Sequence, residues 1–466
     1  MNYESPYSTR YGSAEMRSLW SERTKRLAWR KIWTAVAEVQ AAAGLVTAEQ
    51  IDTIKENQDK VNIERAQEIE EEIGHDLMAE LKAYAEQCGQ GGSVLHWGLT
   101  SADVQDNADI VRQKAGLTLL LTKLRRSLLL IADHIAAWAD LPVMGYTHLQ
   151  PAEPTTLGYR LAGYAQELLL HFEQLARLRL QLRGKGIKGA VGSAAAFQEM
   201  LSNTAVTPEM LEASVMEALG IEAFPISTQT YPRVQDYWLL SSLSGLAASL
   251  HKMAFDLRVL QSPGFRTLAE PFGAKQVGSS AMPFKRNPVK AEKICSLTRQ
   301  IASHLQTTWE NSALSLLERT LDDSANRRSV IPEAFLAMDE VLITLNKILE
   351  NLAVDQQAIK RTLTNFGPFS ALERVLNELV RAGADRQQMH ERLREHSMVA
   401  WEAVENASAN PLVDHLSADT TILKYLQPVR IRELLNADSY VGTAPQRALE
   451  MAAVIKKRFP PTEQNP

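Results

Sequence analysis

Residue types able to do chemistry gather in four short stretches of this chain. The first, Gly278-Ser279-Ser280-Ala281-Met282-Pro283-Phe284-Lys285-Arg286-Asn287-Pro288, offers two hydroxyls, a cation, an amide and a run of backbone N–H groups. Such a set suits a carboxylate whose charge grows during reaction. Glycine, paired serines and two prolines make it a loop, expected to be mobile, that leads into a helix near Val289. Composition alone leaves a plain solvated loop equally open. The second stretch, Gly145 to Thr156 (GYTHLQPAEPTT), sets His148 beside a proline-broken turn at the mouth of a helix rather than on its apolar stripe. Histidine is the usual general acid or base near neutral pH, although a lone histidine is more often structural. The third, His96 to Ser101, ends with Thr100 and Ser101 at a helix start, which suits either an anion or ordinary capping. In the fourth, Glu318 to Arg328, Arg319 and Arg328 flank Ser324. Two guanidinium forks around a hydroxyl can clamp a phosphate, or pair internally with Asp322 and Asp323 as a solvated charge run. Arg10-Tyr11 and Gly74-His75-Asp76, the latter opening a helix, are two smaller pieces.

The elements that must position these stretches are helices. Apolar residues recur in steps of three and four at Leu117, Leu120, Leu121, Leu124, Leu128, Ile131 and Ile135, after a cap at Ser101 and before Pro142. A second stripe runs Leu161, Tyr164, Leu168, Phe172, Leu175, Leu182 and stops at Gly184. The third is the most regular, Leu239, Leu243, Leu246, Leu250, Met253, Leu257, Leu260, between Pro232 and Pro263. Further helices are expected over 289–317 and 332–352. Helices this long gain little from propensity and must pack along their length. The expected architecture is all-α in three helical domains: 1–101, a long central bundle over 102–354, and 355–466. Strand-like alternation is almost absent, and only the tail FPPTEQNP looks frayed. Apolar faces this broad also suggest burial between subunits.

Composition excludes several classes. Fifty Lys+Arg against 55 Asp+Glu leave a net charge of −5, with no basic excess to neutralise a nucleic-acid backbone. A 45% hydrophobic, 23% charged composition is globular rather than disordered. Cys88 and Cys295 lie far apart, which fits a reducing compartment and gives no disulfide framework or thiolate zinc site. The start MNYESPYSTRYGS lacks an apolar core of a signal peptide, and no long uninterrupted apolar run spans a membrane. A cytoplasmic protein is expected. No GxGxxG, P-loop, GxSxG or HExxH is present, so dinucleotide, NTPase, serine-hydrolase and zinc-protease readings have no support.

The string GSSAMPFKRNP resembles the signature loop of the fumarase/aspartase superfamily, GSSxMPxKxNP. That resemblance implies a central bundle of long helices and a homotetramer whose active sites draw on several subunits. It also implies elimination of fumarate, or a close relative, from a succinyl compound without cofactor or metal. Within the superfamily, STRYGSAEM, GHDLMAEL, THLQPAEPTTLG, ISTQTYPRVQD and ERTLDDSANRR resemble the adenylosuccinate lyase family in the same order, over residues 8 to about 450. SANRR after ERTLDD discriminates most, because fumarases and argininosuccinate lyases do not share it. The implied substrates are adenylosuccinate, giving AMP, and the succinylaminoimidazole carboxamide ribotide SAICAR, giving AICAR, in purine nucleotide biosynthesis.

By the same resemblance Ser279 removes the proton beside the succinyl carboxylate, His148 protonates the departing nitrogen, and Glu292 orients His148. Lys285 and Asn287 hold the growing dianion, Thr100 and Ser101 the succinyl carboxylate oxygens, and Gln229 a polar part of the substrate. Arg10, Tyr11, Arg319, Ser324 and Arg328 grip the ribose-phosphate end, with His75 and Asp76 nearby. Two positions depart from the family pattern. Gly74 stands where relatives usually carry a cation before His-Asp, and Lys293 stands where close relatives tend to have Arg, keeping charge in the substrate-binding set but losing the bidentate fork. The rival readings are an argininosuccinate lyase-like enzyme, which leaves the 318–328 arginines without a phosphate, and a non-catalytic structural protein of the same fold.

Overall fold

A computed structural model describes residues 3–273 and 275–460; residues 461–466 of the tail expected to fray lie outside them. Contacts divide the chain into two compact units. The first is Met1–Leu124, His171–Ala248 and Ser296–Ile343; the second is Arg125–Leu170, Ser249–Cys295 and Thr344–Pro466.

Helices dominate, as the apolar period predicts. The five long ones are Ser101–Ala137, Leu157–Gln181, Val234–Gln261, Val289–Ala313 and Asp322–Leu349, of 37, 25, 28, 25 and 28 residues. Every residue of the third stripe is buried, Leu239 through Leu260, and in the first stripe only Leu121 is half-buried. Each buried leucine contributes about 1.5–3 kcal/mol of transfer free energy, so these stripes are what hold the long helices in place.

Two sequence expectations need correction. The segment around His148 is not a turn leading straight into a helix. Pro142–Thr147 and Gln150–Thr156 form an antiparallel hairpin. Prolines at 151 and 154 read as breakers, but a two-stranded ribbon has outward-facing edges on both strands, where a missing N–H costs no ladder bond. The last long helix also begins at Asp322, about ten residues before the expected start at 332. Asp322 and Asp323 occupy its first turn, where acidic side chains favour the positive end of the helix dipole, and Pro332 sits inside it.

In the first unit, Trp29, Ile32, Trp33, Tyr84, Val104, Phe197 and Leu211 belong to one apolar core. Helix Glu22–Ala42 is joined to helix Asp76–Cys88 by Glu80, which is fully buried and receives Arg30 Nε at 2.6 Å and Arg26 Nη1 at 3.1 Å. In the second unit a separate core gathers Val375, Leu379, Met389, Leu412, Ile422 and Ile431 from the C-terminal helices.

Candidate active site

The first unit carries the residues expected at the phosphate end. Asp76, Arg319, Ser324 and Arg328 line one cavity of about 220 Å³, together with Trp20, Arg112 and Asp109. Asp76 is 8% exposed, and its position follows from His75, which caps helix Asp76–Cys88 by accepting Met78 N–H at 3.4 Å. The two carboxylate oxygens of Asp76 divide their work. Oδ1 accepts Leu77 N–H at 2.7 Å and the Gln105 amide at 3.4 Å, while Oδ2 pairs with Arg328 Nη2 at 3.0 Å. Arg319 donates to Asp323 Oδ1 at 2.7 Å, so one of the internal pairings considered for this charge run is present.

Behind those arginines stands a buried network that sequence reasoning missed. Asp323 Oδ2 accepts Arg233 Nε at 2.5 Å, and Arg233 grips both oxygens of Asp106 at 3.1 Å. Arg327 donates to Asp236 Oδ2 at 2.8 Å and to the Tyr231 hydroxyl at 2.6 Å, and lies 3.3 Å from Asp109. Asp109 keeps 26% of its side chain exposed, facing the cavity; burial nonetheless raises its carboxyl, with Arg327 and Arg112 opposing. The signal in the sequence is the run YPRVQD, whose Arg233 and Asp236 have partners that only the fold supplies.

The remaining first-unit candidates sit on their own supports. Arg10 and Tyr11 precede Gly12 and Ser13, whose N–H groups bond Glu340 Oε2 at 3.1 Å and Asp339 Oδ2 at 2.6 Å. Arg10 is exposed, and the Tyr11 ring lies 5.7 Å from that of Tyr7. Thr100 and Ser101 are half-buried at the start of their helix, where Thr100 N–H donates to Asp103 Oδ2 at 2.9 Å. Asp103 is a hub: it also bonds the fully buried Lys185 and accepts the N–H groups of Lys188 at 3.1 Å and Gly189 at 3.2 Å. Gln229 is half-buried, and its N–H meets Glu318 O at 3.2 Å, tying its segment to the stretch before Arg319. Gly74 has φ +66° as the left-handed cap of helix Ile63–Ile73. A Cβ there would meet nothing within 4 Å, so the departure at this position is one of backbone strain rather than of space.

The second unit carries the proton-transfer candidates. His148 and Leu149 occupy the two-residue tip of the hairpin with φ of +54° and +60°. Both positive angles define the turn that matches strand twist, normally taken by Asn-Gly. A histidine and an exposed leucine held there store strain of about 1–3 kcal/mol each, a pattern common at functional sites. The hairpin's first strand is fixed by Arg160 Nη2 donating to Met144 O at 2.6 Å and, next to the tip, by Tyr146 against Phe265 at 4.9 Å. Gly145 is obligatory, since a Cβ would lie 2.4 Å from Glu153 O.

The signature loop folds back on itself. Asn287 Nδ2 donates to Gly278 O at 2.8 Å, and a Cβ on Gly278 would lie 2.2 Å from Lys285 O. Ser279 Oγ accepts N–H from Met282 at 3.1 Å and Ala281 at 3.4 Å, two dipoles aimed at the oxygen that would carry alkoxide charge. Lys285 is exposed. Glu292 and Lys293 lie in the first turns of helix Val289–Ala313; Glu292 is exposed, 3.8 Å from Arg258 Nη2. Among the described residues no hydrogen bond joins His148 to Glu292 or to Ser279.

A polar loop carrying serine, lysine and asparagine, in a chain of long helices, has counterparts among known proteins. Residues 7–303 match the family described as Lyase, and the chain is a lyase. Two solved structures are similar in fold: the 3-carboxy-cis,cis-muconate lactonizing enzyme from Pseudomonas putida (TM-score 0.85, 23% identity, 97% of this chain and 99% of that one) and a fumarate lyase from Mesorhizobium sp. BNC1 (0.83, 21%, 97% and 100%). Residues 368–449 match the family described as Adenylosuccinate lyase C-terminus. The adenylosuccinate lyase of Schistosoma mansoni is 38% identical over 96% of this chain and 93% of its own length, and that of Saccharomyces cerevisiae 36% over 96% and 93%. That of Archaeoglobus fulgidus is 34% identical over 95% and 96%. The chain belongs to the adenylosuccinate lyase family.

Proposed function

We propose that this chain releases fumarate from adenylosuccinate, giving AMP, and from SAICAR, giving AICAR. The observation that carries this reading is the cavity shared by Arg319, Ser324, Arg328 and Asp76, a two-arginine cradle that a phosphate-bearing substrate fits and a phosphate-free one leaves idle. Ser279, its oxygen stabilised by the 281 and 282 N–H groups, takes the proton from the succinyl carbon beside the carboxylate. The electron pair passes into that carboxylate, and Lys285 balances the dianion. The C–N bond then breaks, and His148 gives its proton to the departing nitrogen while fumarate forms.

Asn287 joins Lys285 on the growing dianion, Thr100 and Ser101 hold the succinyl carboxylate oxygens, Gln229 a polar part of the substrate, and Arg10 and Tyr11 the ribose-phosphate end with His75 nearby, while Lys293 completes the substrate-binding set. Because Glu292 lies 3.8 Å from Arg258 and no hydrogen bond joins it to His148 among the described residues, we read its pairing with His148 as one made between copies of the chain. The resemblance to the superfamily adds a homotetramer with shared active sites, in the cytoplasm. The proposed domains are 1–101, 102–354 and 355–466.

The test is fumarate release from purified protein given adenylosuccinate in one tube and argininosuccinate in another. Release from adenylosuccinate alone is expected. Release from argininosuccinate alone contradicts the phosphate reading, and release from neither, by folded protein, favours a non-catalytic role.

A further inference from the structure

Three side chains outside the reacting set join the two ends of the signature loop. Glu270 precedes the loop and its side chain is 1% exposed. Its carboxylate accepts Lys290 N–H at 2.9 Å and Ala291 N–H at 3.0 Å, in the first turn of the helix that follows the loop. Lys290 returns the tie. Its ammonium lies 3.7 Å from Glu270, donates to Pro271 O at 2.8 Å, and reaches Gln276 Oε1 at 3.3 Å. Gln261, the last residue of helix Val234–Gln261, bridges the same two strands of chain with one amide: Oε1 accepts Glu270 N–H at 3.0 Å, and Nε2 donates to Arg286 O at 3.0 Å.

A buried carboxylate held by two helix N–H groups and a cation is a strong anchor, because desolvation magnifies each of those bonds. The loop between the anchors is largely exposed at 280–286, and among the described residues it is tied inside by local bonds alone: the Asn287–Gly278 bond, the Ala281 and Met282 N–H groups on Ser279 Oγ, and the turn at Lys285. Where Ser279, Lys285 and Asn287 stand is therefore decided at the ends. We infer that Gln261, Glu270 and Lys290 form a clamp that closes the base of the loop and acts as a set of positioning residues for proton abstraction. This inference rests on the role given above to Ser279.

Two readouts separate positioning from mere folding. Lys285 and Arg286 are exposed and offer trypsin a cleavage point within the clamped segment. In Glu270→Gln, which keeps shape and one acceptor oxygen but loses the charge, nicking at 285–286 in the native protein should accelerate about tenfold. In the same variant kcat for fumarate release should fall about tenfold with KM within about twofold. Lys290→Met, which leaves the helix N–H bonds to Glu270 in place, should give a smaller change in the same direction and guards against a Glu270→Gln variant that does not fold. Unchanged nicking and unchanged kcat in both variants, well below their melting temperatures, overturn the clamp. Nicking needs no substrate, so it tests the clamp even if the parent protein releases no fumarate.

Discussion

Replacing Asp323 by asparagine tests the buried network behind the phosphate cradle. Asp323 is 2% exposed, with Arg233 Nε at 2.5 Å on one oxygen and Arg319 Nη1 at 2.7 Å on the other. At an effective dielectric of about 20, a pair of unit charges about 4 Å apart is worth about 4 kcal/mol. The Asp323→Asn side chain would keep one acceptor oxygen and escape the desolvation of a charge, so the net loss in stability should be about 2–3 kcal/mol. Arg233 stays held by Asp106, but Arg319 is left with at most a neutral acceptor in place of the carboxylate that aims it. A charged hydrogen bond to phosphate is worth about 1.5–3 kcal/mol, so KM for adenylosuccinate should rise about 10- to 150-fold. The grip is the same in ground and transition states, so kcat should change little. Burial alone raises the Asp323 carboxyl, yet Arg233, Arg327 and Arg319 together leave it below the ordinary range. Its stabilisation is therefore complete above the unfolded value of about 3.9 and fades as pH falls through the lower folded value, a slope the variant should lose. Steady-state fumarate release gives KM, and urea midpoints across pH give stability. A KM within about twofold of the parent at an unchanged midpoint refutes the reasoning.

Gly278→Ala places a Cβ 2.2 Å from Lys285 O, so the loop must open; kcat should drop about 100-fold while the melting temperature of this exposed segment stays nearly fixed, read by calorimetry beside turnover. Glu80→Ala strands the buried Arg26 and Arg30 guanidiniums, and urea midpoints should report a loss of about 3–5 kcal/mol. Asp419 is held at a pKa of about 2: burial raises it, but the bonds from His396, the Ile422 and Thr421 N–H groups and Arg392 outweigh that. Its contribution is present above about pH 3.9 and lost as pH falls towards 2, so Asp419→Asn should flatten acid unfolding of the C-terminal helices in that window, followed by circular dichroism.

The long helices were legible because their stripes repeat over many turns: the positions from Leu239 to Leu260 alone fix a helix and its buried face. The hairpin at 142–156 was not, because Pro151 and Pro154 signal a break and a two-stranded ribbon leaves no run of alternation to detect. Asp322, Asp323 and the arginines around Ser324 read as a phosphate clamp or a solvated charge run, whereas the same charges line the start of a helix. Local composition marked the stretches that hold His148, Ser279 and the 319–328 arginines, and the resemblance to the superfamily gave them roles. Local composition had no means of finding Asp106, Arg233 or Glu270, whose roles depend on partners brought from distant positions: more than a hundred residues away for the Asp106–Arg233 pair and about twenty for Glu270 with Lys290. Nor does any local signal give the positive φ at His148 and Leu149, which only the closed hairpin imposes.

The most direct measurement is fumarate release and adenylosuccinate binding by Ser279→Ala, made side by side with the parent protein. Removing only the proton acceptor should lower turnover about 10²–10⁴-fold while the substrate still binds with affinity within about tenfold, since the phosphate cradle is untouched. Turnover close to that of the parent would contradict the account, and the base would have to be sought elsewhere.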